Sequence, residues 1–190
     1  AMTLDTAAII AETRAWVDRA VIGLNLCPFA KAVQVKGQIR YVVCPASEPA
    51  ELLNTLCDEL HRLAESDPQD VDTTLLIHPA ALTDFLDFND FLAVADAAVE
   101  EHGYAGILQV ASFHPQFQFA DTHINDVSNA TNRAPFPTLH LLRESSIDRA
   151  VAAFPEAETI FEANIETLEN LGAEGWAALQ AQCKRDAENR

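Results

Sequence analysis

Residues 73–113 contain the pattern that decides the fold, TTLLIHPAALTDFLDFNDFLAVADAAVEEHGYAGILQVASF. The stretch from Thr73 to Ile77 is short, apolar and β-branched, which predicts a strand. Ile107 to Phe113 predicts a second strand, apolar enough to be buried on both faces. Between them an apolar stripe recurs at helical spacing, and its members are Phe88, Leu92, Ala95 and Val99. This strand–helix–strand order is typical of an α/β domain with a partly parallel sheet.

The same alternation continues on both sides of this stretch. Ile39 to Cys44 and Thr138 to Leu142 predict further strands, and a leucine-rich helical stripe lies between residues 47 and 66. Helical patterns also cover residues 4–24, 28–34, 145–153 and 155–171, with another after Gly172. We therefore expect one α/β domain over residues 2–190. Its mixed, partly parallel sheet has about four to five strands flanked by helices.

Composition and charge exclude several classes of protein. The 190 residues are 49% hydrophobic, enough for a core, and their net charge of −17 argues against a general nucleic-acid binder. No apolar run approaches the length of a membrane span, and no targeting segment is visible. Four widely spaced cysteines without a Cys-x-x-Cys pair indicate reduced thiols rather than a zinc ribbon. We expect a cytoplasmic protein without a membrane or nucleic-acid partner. Its oligomeric state stays open.

The segment from 114 to 137 follows neither a helical nor a strand period. A connection of about two dozen residues is uncommon inside a domain and is usually functional or disordered. This one carries apolar side chains that favour burial: Phe117, Phe119, Ile124, Val127 and Phe136. We therefore predict a long ordered loop that packs onto the sheet. Because it is also rich in His, Asp, Asn and Arg, it is the predicted location of a site.

Cations gather near this loop and in the N-terminal part of the chain. Residues 1–40 carry five bases and three acids, and residues 106–144 carry two bases and three acids. The predicted helices elsewhere are strongly acidic, for example eight acids and one base over residues 45–72. A local positive region in an acidic protein can hold a small anion. Neutralisation of neighbouring acids is an equally good explanation.

Three stretches carry a resemblance to a known family. They are GLNLCPFAK (23–31), SFHPQF (112–117) and NATNRAPFPTLHLLRE (129–144). The chain resembles a family of mostly bacterial proteins of about this length, a domain of unknown function, along nearly its whole length. The resemblance implies a bacterial protein but no activity, because the family has none assigned.

Cys27 is the best candidate for a nucleophile among the four cysteines. It precedes Pro28 at a predicted helix start, where backbone amides and the helix dipole stabilise a thiolate. Lys31, four residues on, adds positive charge. A small buried cysteine beside a turn is the structural alternative.

Histidine and aspartate supply the candidate acid–base groups. His114 follows a predicted strand, at the end where open α/β sheets bind ligands. His140 lies between Leu139 and Leu141 and therefore faces the opposite side of the sheet from both. Asp126 would orient one of these histidines. A divalent-metal site made by His114, His123, Asp126 and His140 is an alternative, although no zinc spacing is matched.

Planar and polar side chains are the candidate ligands for an anion. They are Lys31, Asn129, Asn132, Arg133 and Arg143. Our first hypothesis is a small enzyme that acts on a small anionic metabolite by acyl or phosphoryl-type transfer or hydrolysis. Its Cys27 would be the nucleophile, and His114 or His140 the base. The alternatives are a metal-dependent enzyme and a non-catalytic module that binds a ligand or a protein. For the first hypothesis we expect one cavity to be lined by at least four of a set of seven residues: Cys27, His114, Asp126, Asn132, Arg133, His140 and Arg143.

Overall fold

A four-stranded mixed sheet forms the centre of the computed structural model, which describes residues 4–189. Its strands are β1 (Ile39–Val43), β2 (Thr73–Ile77), β3 (Leu108–Phe113) and β4 (Thr138–Arg143). Their order across the sheet is β1-β2-β4-β3. β1 runs parallel to β2, whereas β4 is antiparallel to both of its neighbours. The predicted mixed, partly parallel sheet is confirmed.

Six α-helices flank the sheet in the described part of the chain. They are α1 (Thr6–Trp16), α2 (Ala30–Val35), α3 (Pro49–Glu65), α4 (Phe85–Glu101), α5 (Glu144–Ala153) and α6 (Ile160–Glu188). α1 continues as a π-helical segment, Val17–Ile22. α6 is kinked at Gly172, whose backbone leaves helical geometry at φ 75° and ψ 170°, where the sequence pattern also breaks. No helix within residues 4–189 is both long and apolar enough to cross a membrane.

The outer face of the sheet packs against α3 and α4. Leu76, Leu139 and Leu141 point to this side and are fully buried. They meet the leucine stripe of α3 and Phe88 of α4. Removing this apolar surface from water supplies the main driving force for this half of the fold.

The inner face of the sheet packs against α1, α6 and a 3₁₀ helix, Val127–Asn132. Leu75, His140 and Ala111 share one register position across three strands, so they all point to this side. Trp16 lies against Phe113 here, edge to face, with ring centroids 5.0 Å apart. The predicted orientation of His140, opposite to Leu139 and Leu141, is confirmed.

The predicted burial of the 107–113 strand on both faces is wrong. β3 is an edge strand, so only Leu108 is fully buried and Gln109 is exposed. The strand whose every residue is buried is β2, which lies between β1 and β4. Apolar composition alone does not distinguish an edge strand from a central one.

Candidate functional site

A cavity of about 350 Å³ lies over the inner face of the sheet. The π-helical segment, α2 and α5 surround it, and strands β1 to β4 form its floor. Most of its wall is apolar, for example Trp16, Phe29, Phe113, Leu142 and Ile147. Its polar lining consists of Cys27, Asp72, Thr73, His140 and Ser146. The cavity therefore brings together Cys27 and His140.

Cys27 reaches the cavity through the turn between the π-helical segment and α2. The turn begins at Asn25, whose φ of 53° lies in the left-handed region that asparagine tolerates. The Ala30 N–H donates to the Cys27 carbonyl at 3.3 Å, and the backbone amides of Phe29 and Ala30 act to lower the pKa of the thiol. Burial outweighs the effect of these amides and raises the pKa of the thiol above its ordinary value. The lowered pKa expected at a helix start is therefore not found.

His140 is held from one side by a neighbouring strand. Its Nε2 lies 2.8 Å from the Thr73 hydroxyl oxygen. That hydroxyl donates its only proton to the Leu141 carbonyl at 2.6 Å. It must therefore accept a hydrogen bond from Nε2, which places the imidazole proton on Nε2.

The second nitrogen of His140 is uncommitted. No described residue forms a hydrogen bond with Nδ1, which carries the lone pair of the neutral ring. Burial lowers the pKa of His140 to about 4, so the ring is neutral near pH 7. The cavity thus contains a neutral hydrogen-bond acceptor.

Two further polar side chains of the lining, Ser146 and Asp72, are paired with each other. The Ser146 hydroxyl donates to an Asp72 carboxylate oxygen at 2.7 Å. Asp72 is the one charged residue among the described residues that line this cavity. The wall therefore offers no positive charge to an anion.

His114 has no free nitrogen. Its Nδ1 accepts from the Gln116 backbone N–H at 3.0 Å, which leaves Nε2–H to donate to the Leu82 carbonyl at 3.1 Å. The ring lies against Phe85 and Phe88 at α4, in the outer layer. Its contacts therefore fasten the start of the 114–137 segment rather than face Cys27.

The two candidate asparagines of the 114–137 segment form hydrogen bonds with backbone groups of the segment and of β3. Asn129 is fully buried and accepts from the Phe119 N–H and the Thr122 hydroxyl, while its amide donates to the His123 carbonyl. Asn132 donates to the Ser112 carbonyl at 3.0 Å. The Asn129 bonds hold the segment together, and the Asn132 bond ties it to β3.

Asp126 and His123 are exposed, and the side chain of each accepts a hydrogen bond from a nearby backbone N–H. An Asp126 carboxylate oxygen accepts from the His123 backbone N–H at 2.9 Å. The His123 ring accepts from the Asn125 N–H at 3.1 Å. The observed contact of Asp126 is thus with a backbone group and not with a histidine ring.

The two candidate arginines bind backbone carbonyls. Arg133 donates to the carbonyls of Phe117 and Ile124, at 3.0 and 2.8 Å. Arg143 donates to the carbonyls of Ser66 and Val71, at 3.0 and 2.8 Å. Lys31 is exposed on α2 and does not line the cavity over the sheet.

Two of the candidate residues, Cys27 and His140, share this cavity, rather than the four or more that were expected. Most of the others bond to backbone groups within the 114–137 segment or beside it, Arg143 bonds to the carbonyls of Ser66 and Val71, and Lys31 is exposed. Nor does the structure bring the four-residue metal set together, since His140 belongs to the inner layer and His114 to the outer. Among residues 4–189 no group of three or more His, Cys, Asp or Glu is arranged to hold a metal ion.

Sequence reasoning missed the residues that complete the cavity. Thr73 lies in β2 directly opposite Leu142, and Asp72 immediately precedes that strand. Two threonines at the start of an otherwise apolar central strand were the available signal. The partner of Thr73 could not be identified, because the pairing of β2 with β4 spans more than sixty residues.

Comparison with known proteins yields a family and no activity. No curated protein and no solved structure matches the chain. A family model described as "Protein of unknown function (DUF1415)" matches residues 8–178. Because that match covers most of the sequence, the chain belongs to this family, as the three resembling stretches predict.

Proposed function

We propose that the protein binds a small, uncharged and largely apolar molecule that carries a hydrogen-bond donor. One observation carries this proposal. His140 lines an apolar cavity with one ring nitrogen held by Thr73 and the other without a protein partner. Polar groups that line an apolar cavity orient a ligand, and a ligand donor would pair with this nitrogen.

The size and composition of the cavity suit such a ligand. Small-molecule sites typically enclose about 300–1,000 Å³, with apolar walls and a few polar groups that fix orientation. A cavity of about 350 Å³ lies within this range. Its apolar wall would supply affinity, whereas His140 and the Cys27 thiol would select the orientation.

A neutral ligand fits better than the small anion first expected. Asp72 would repel an anion, and Arg133 and Arg143 donate to backbone carbonyls elsewhere. An uncharged donor such as a hydroxyl group loses little solvation energy in an apolar wall once it is hydrogen-bonded.

Phenol and its methyl ether anisole provide the test, because they differ in one donor. We expect phenol to bind saturably and to shift the imidazole resonances of His140 in NMR spectra. Anisole should bind about five- to tenfold more weakly, as the loss of one net hydrogen bond implies. His140→Phe should abolish this preference while keeping the volume of the wall.

A matched pair of variants on α5 locates the binding. Ala150 lines the cavity, whereas Ala152 is exposed on the same helix and does not. Ala150→Phe should block phenol, and Ala152→Phe should leave its affinity unchanged. Equal binding of phenol and anisole, or equal behaviour of the two variants, would refute the proposal.

A second candidate function is the Cys27–His140 enzyme. It is favoured by the position of Cys27 and His140 in one cavity, and by the backbone amides of Phe29 and Ala30, which act to lower the pKa of the Cys27 thiol. Such donors stabilise a thiolate and are typical of cysteine nucleophiles. Here Cys27 would be the nucleophile, and His140, rather than His114, would be the base.

Proton transfer from Cys27 to His140 is energetically unfavourable. A cysteine ordinarily has a pKa of about 8.5, and burial raises the pKa of Cys27. Moving its proton to an imidazole of pKa about 4 would cost at least roughly 6 kcal/mol, before any attraction between the resulting charges. We therefore prefer the ligand-binding function to the Cys27–His140 enzyme.

Thiol labelling distinguishes the two functions. If Cys27 is activated by His140, a short iodoacetamide pulse should label it before Cys44 and Cys183, and His140→Phe should slow its labelling relative to Cys57. Cys57 lies on α3, outside this cavity, and serves as the internal control. An unchanged ratio would eliminate the Cys–His mechanism.

Four free cysteines support the proposed cytoplasmic location.

A further inference from the structure

A second cavity of about 360 Å³ lies between α1, α6 and the turn at residues 133–135. Trp16 borders both cavities, but the remaining lining is different. Trp176, Pro115 and Pro135 provide ring surfaces, and Arg133, Lys184 and Glu12 provide charge. Its chemistry is therefore aromatic and cationic, unlike that of the Cys27–His140 cavity.

Arg133 reaches this cavity without a carboxylate partner. Its guanidinium uses Nε and Nη2 for two carbonyls, and no described acid forms an ion pair with it. The group is only half-exposed, and burial lowers its pKa. A partly buried charge without a counter-ion is costly, and a bound anion would relieve that cost.

The balance of charge at the cavity is positive in a chain whose net charge is −17. Two cations, Arg133 and Lys184, face one acid, Glu12. Burial raises the pKa of Glu12, whereas the charge of Lys184 opposes that shift. The carboxylate of Glu12 is thus partly offset by Lys184, and Arg133 remains available.

We propose that this second cavity binds a small carboxylate with an aromatic or other planar apolar body. Arg133 and Lys184 would pair with the carboxylate, and Trp176 with the two prolines would contact the body. Planar guanidinium groups suit carboxylates, and indole rings suit flat apolar ligands. This proposal is independent of the ligand of the Cys27–His140 cavity.

Benzoate and its neutral isostere benzamide are the probes. The protein has two tryptophans, and Trp176 lines only the second cavity of the two. At constant ionic strength, benzoate should shift the indole N–H resonance of Trp176 saturably in ¹H–¹⁵N spectra. Benzamide should bind at least about threefold more weakly, because it lacks the charge that pairs with the cations.

Neighbouring residues on α6 give matched variants that preserve the fold. Lys184 and Arg185 are both exposed, but Arg185 bonds to Gln182 and does not line the cavity. Lys184→Gln should weaken benzoate at least about threefold, whereas Arg185→Gln should change affinity by less than about twofold. Arg133→Gln should weaken it further but also loosens the loop, so the proposal is judged on the α6 pair.

The outcomes are separable from those of the first proposal. Ala150→Phe, which blocks the Cys27–His140 cavity, should leave benzoate binding intact. An unmoved Trp176 resonance, equal affinity for benzamide, or equal effects of Lys184→Gln and Arg185→Gln would each overturn the second site. None of these results depends on whether phenol binds.

Discussion

The 114–137 segment and the cavity over the sheet use polar side chains in opposite ways. In the segment, Asn129, Asn132, Arg133 and both nitrogens of His114 are bonded to neighbouring backbone groups. In the cavity, polar groups are few, and one of them, His140 Nδ1, has no partner in the described chain. A candidate site is therefore marked by polar atoms left uncommitted rather than by abundant polar residues.

The difference follows from how backbone groups are satisfied. A segment whose residues mostly lie outside helices and strands cannot pair its N–H and C=O groups in a ladder, so side chains must pair with them. The strands of the sheet satisfy their own backbone, which leaves side chains such as His140 free for other contacts. Each prediction below tests one side of this comparison.

The largest effect is expected at Asn129. Asn129→Ala removes three hydrogen bonds and leaves the Phe119 N–H without its partner. We expect the free energy of unfolding, measured by urea titration, to fall by about 2–4 kcal/mol.

Asn125 provides the control for this variant. It is exposed in the same segment, and its recorded hydrogen bond comes from its backbone rather than its side chain. Asn125→Ala should therefore change stability by less than about 0.5 kcal/mol. Similar losses in both variants would mean that the segment is not held by its committed polar groups.

Two neighbouring threonines of β2 provide the second test. The Thr73 hydroxyl holds both His140 and the Leu141 carbonyl, whereas the buried Thr74 hydroxyl has no hydrogen-bond partner. Thr73→Val should lower the free energy of unfolding by about 2 kcal/mol, because it leaves a buried N–H unpaired. Thr74→Val should be neutral or stabilising, because it removes an unsatisfied polar group.

The same pair also tests the assignment of the His140 proton. In Thr73→Val the ring loses the acceptor that fixes its proton on Nε2, so the ¹⁵N shifts of His140 should change. In Thr74→Val they should remain as in the wild type. If Thr74→Val is as destabilising as Thr73→Val, the hydrogen-bond pattern on which the cavity proposal rests is wrong.

The fold was largely predictable from the sequence, whereas the site was only partly so. Alternating strand and helix patterns predicted the sheet, and the period of two predicted the side on which His140 lies. Local patterns cannot show that β3 is an edge strand or that Thr73 faces His140, since both depend on the pairing of β4 with strands distant in sequence. The polar residues of the 114–137 segment were misleading as site candidates, because residue type does not reveal whether a side chain is already hydrogen-bonded to the protein's own backbone.

The smallest effect is expected when the pH is varied above the titration range of His140. Burial lowers the pKa of His140 to about 4. Its ring therefore stays neutral between about pH 5.5 and pH 8, whereas an ordinary histidine with a pKa of about 6.5 would become protonated. Protonation would place a proton on Nδ1 and remove the acceptor. The ratio of phenol to anisole affinity should consequently stay constant across this window and fall only as the pH drops towards 4.

The affinity ratio is a better readout here than acid unfolding. Burial also lowers the pKa of His78 to about 4, so loss of stability in acid reports on both histidines, because the unfolded state binds their protons first. The change of the ratio with pH instead reports on Nδ1 of His140, since only phenol can donate to this nitrogen and the wall contacts of both probes do not depend on pH. His78→Phe should leave the ratio unchanged, because His78 does not line this cavity. A ratio that declines near pH 6.5 would show that His140 has the pKa of an ordinary solvated histidine. The cavity would then resemble the solvated polar surface of the molecule rather than a dry binding site.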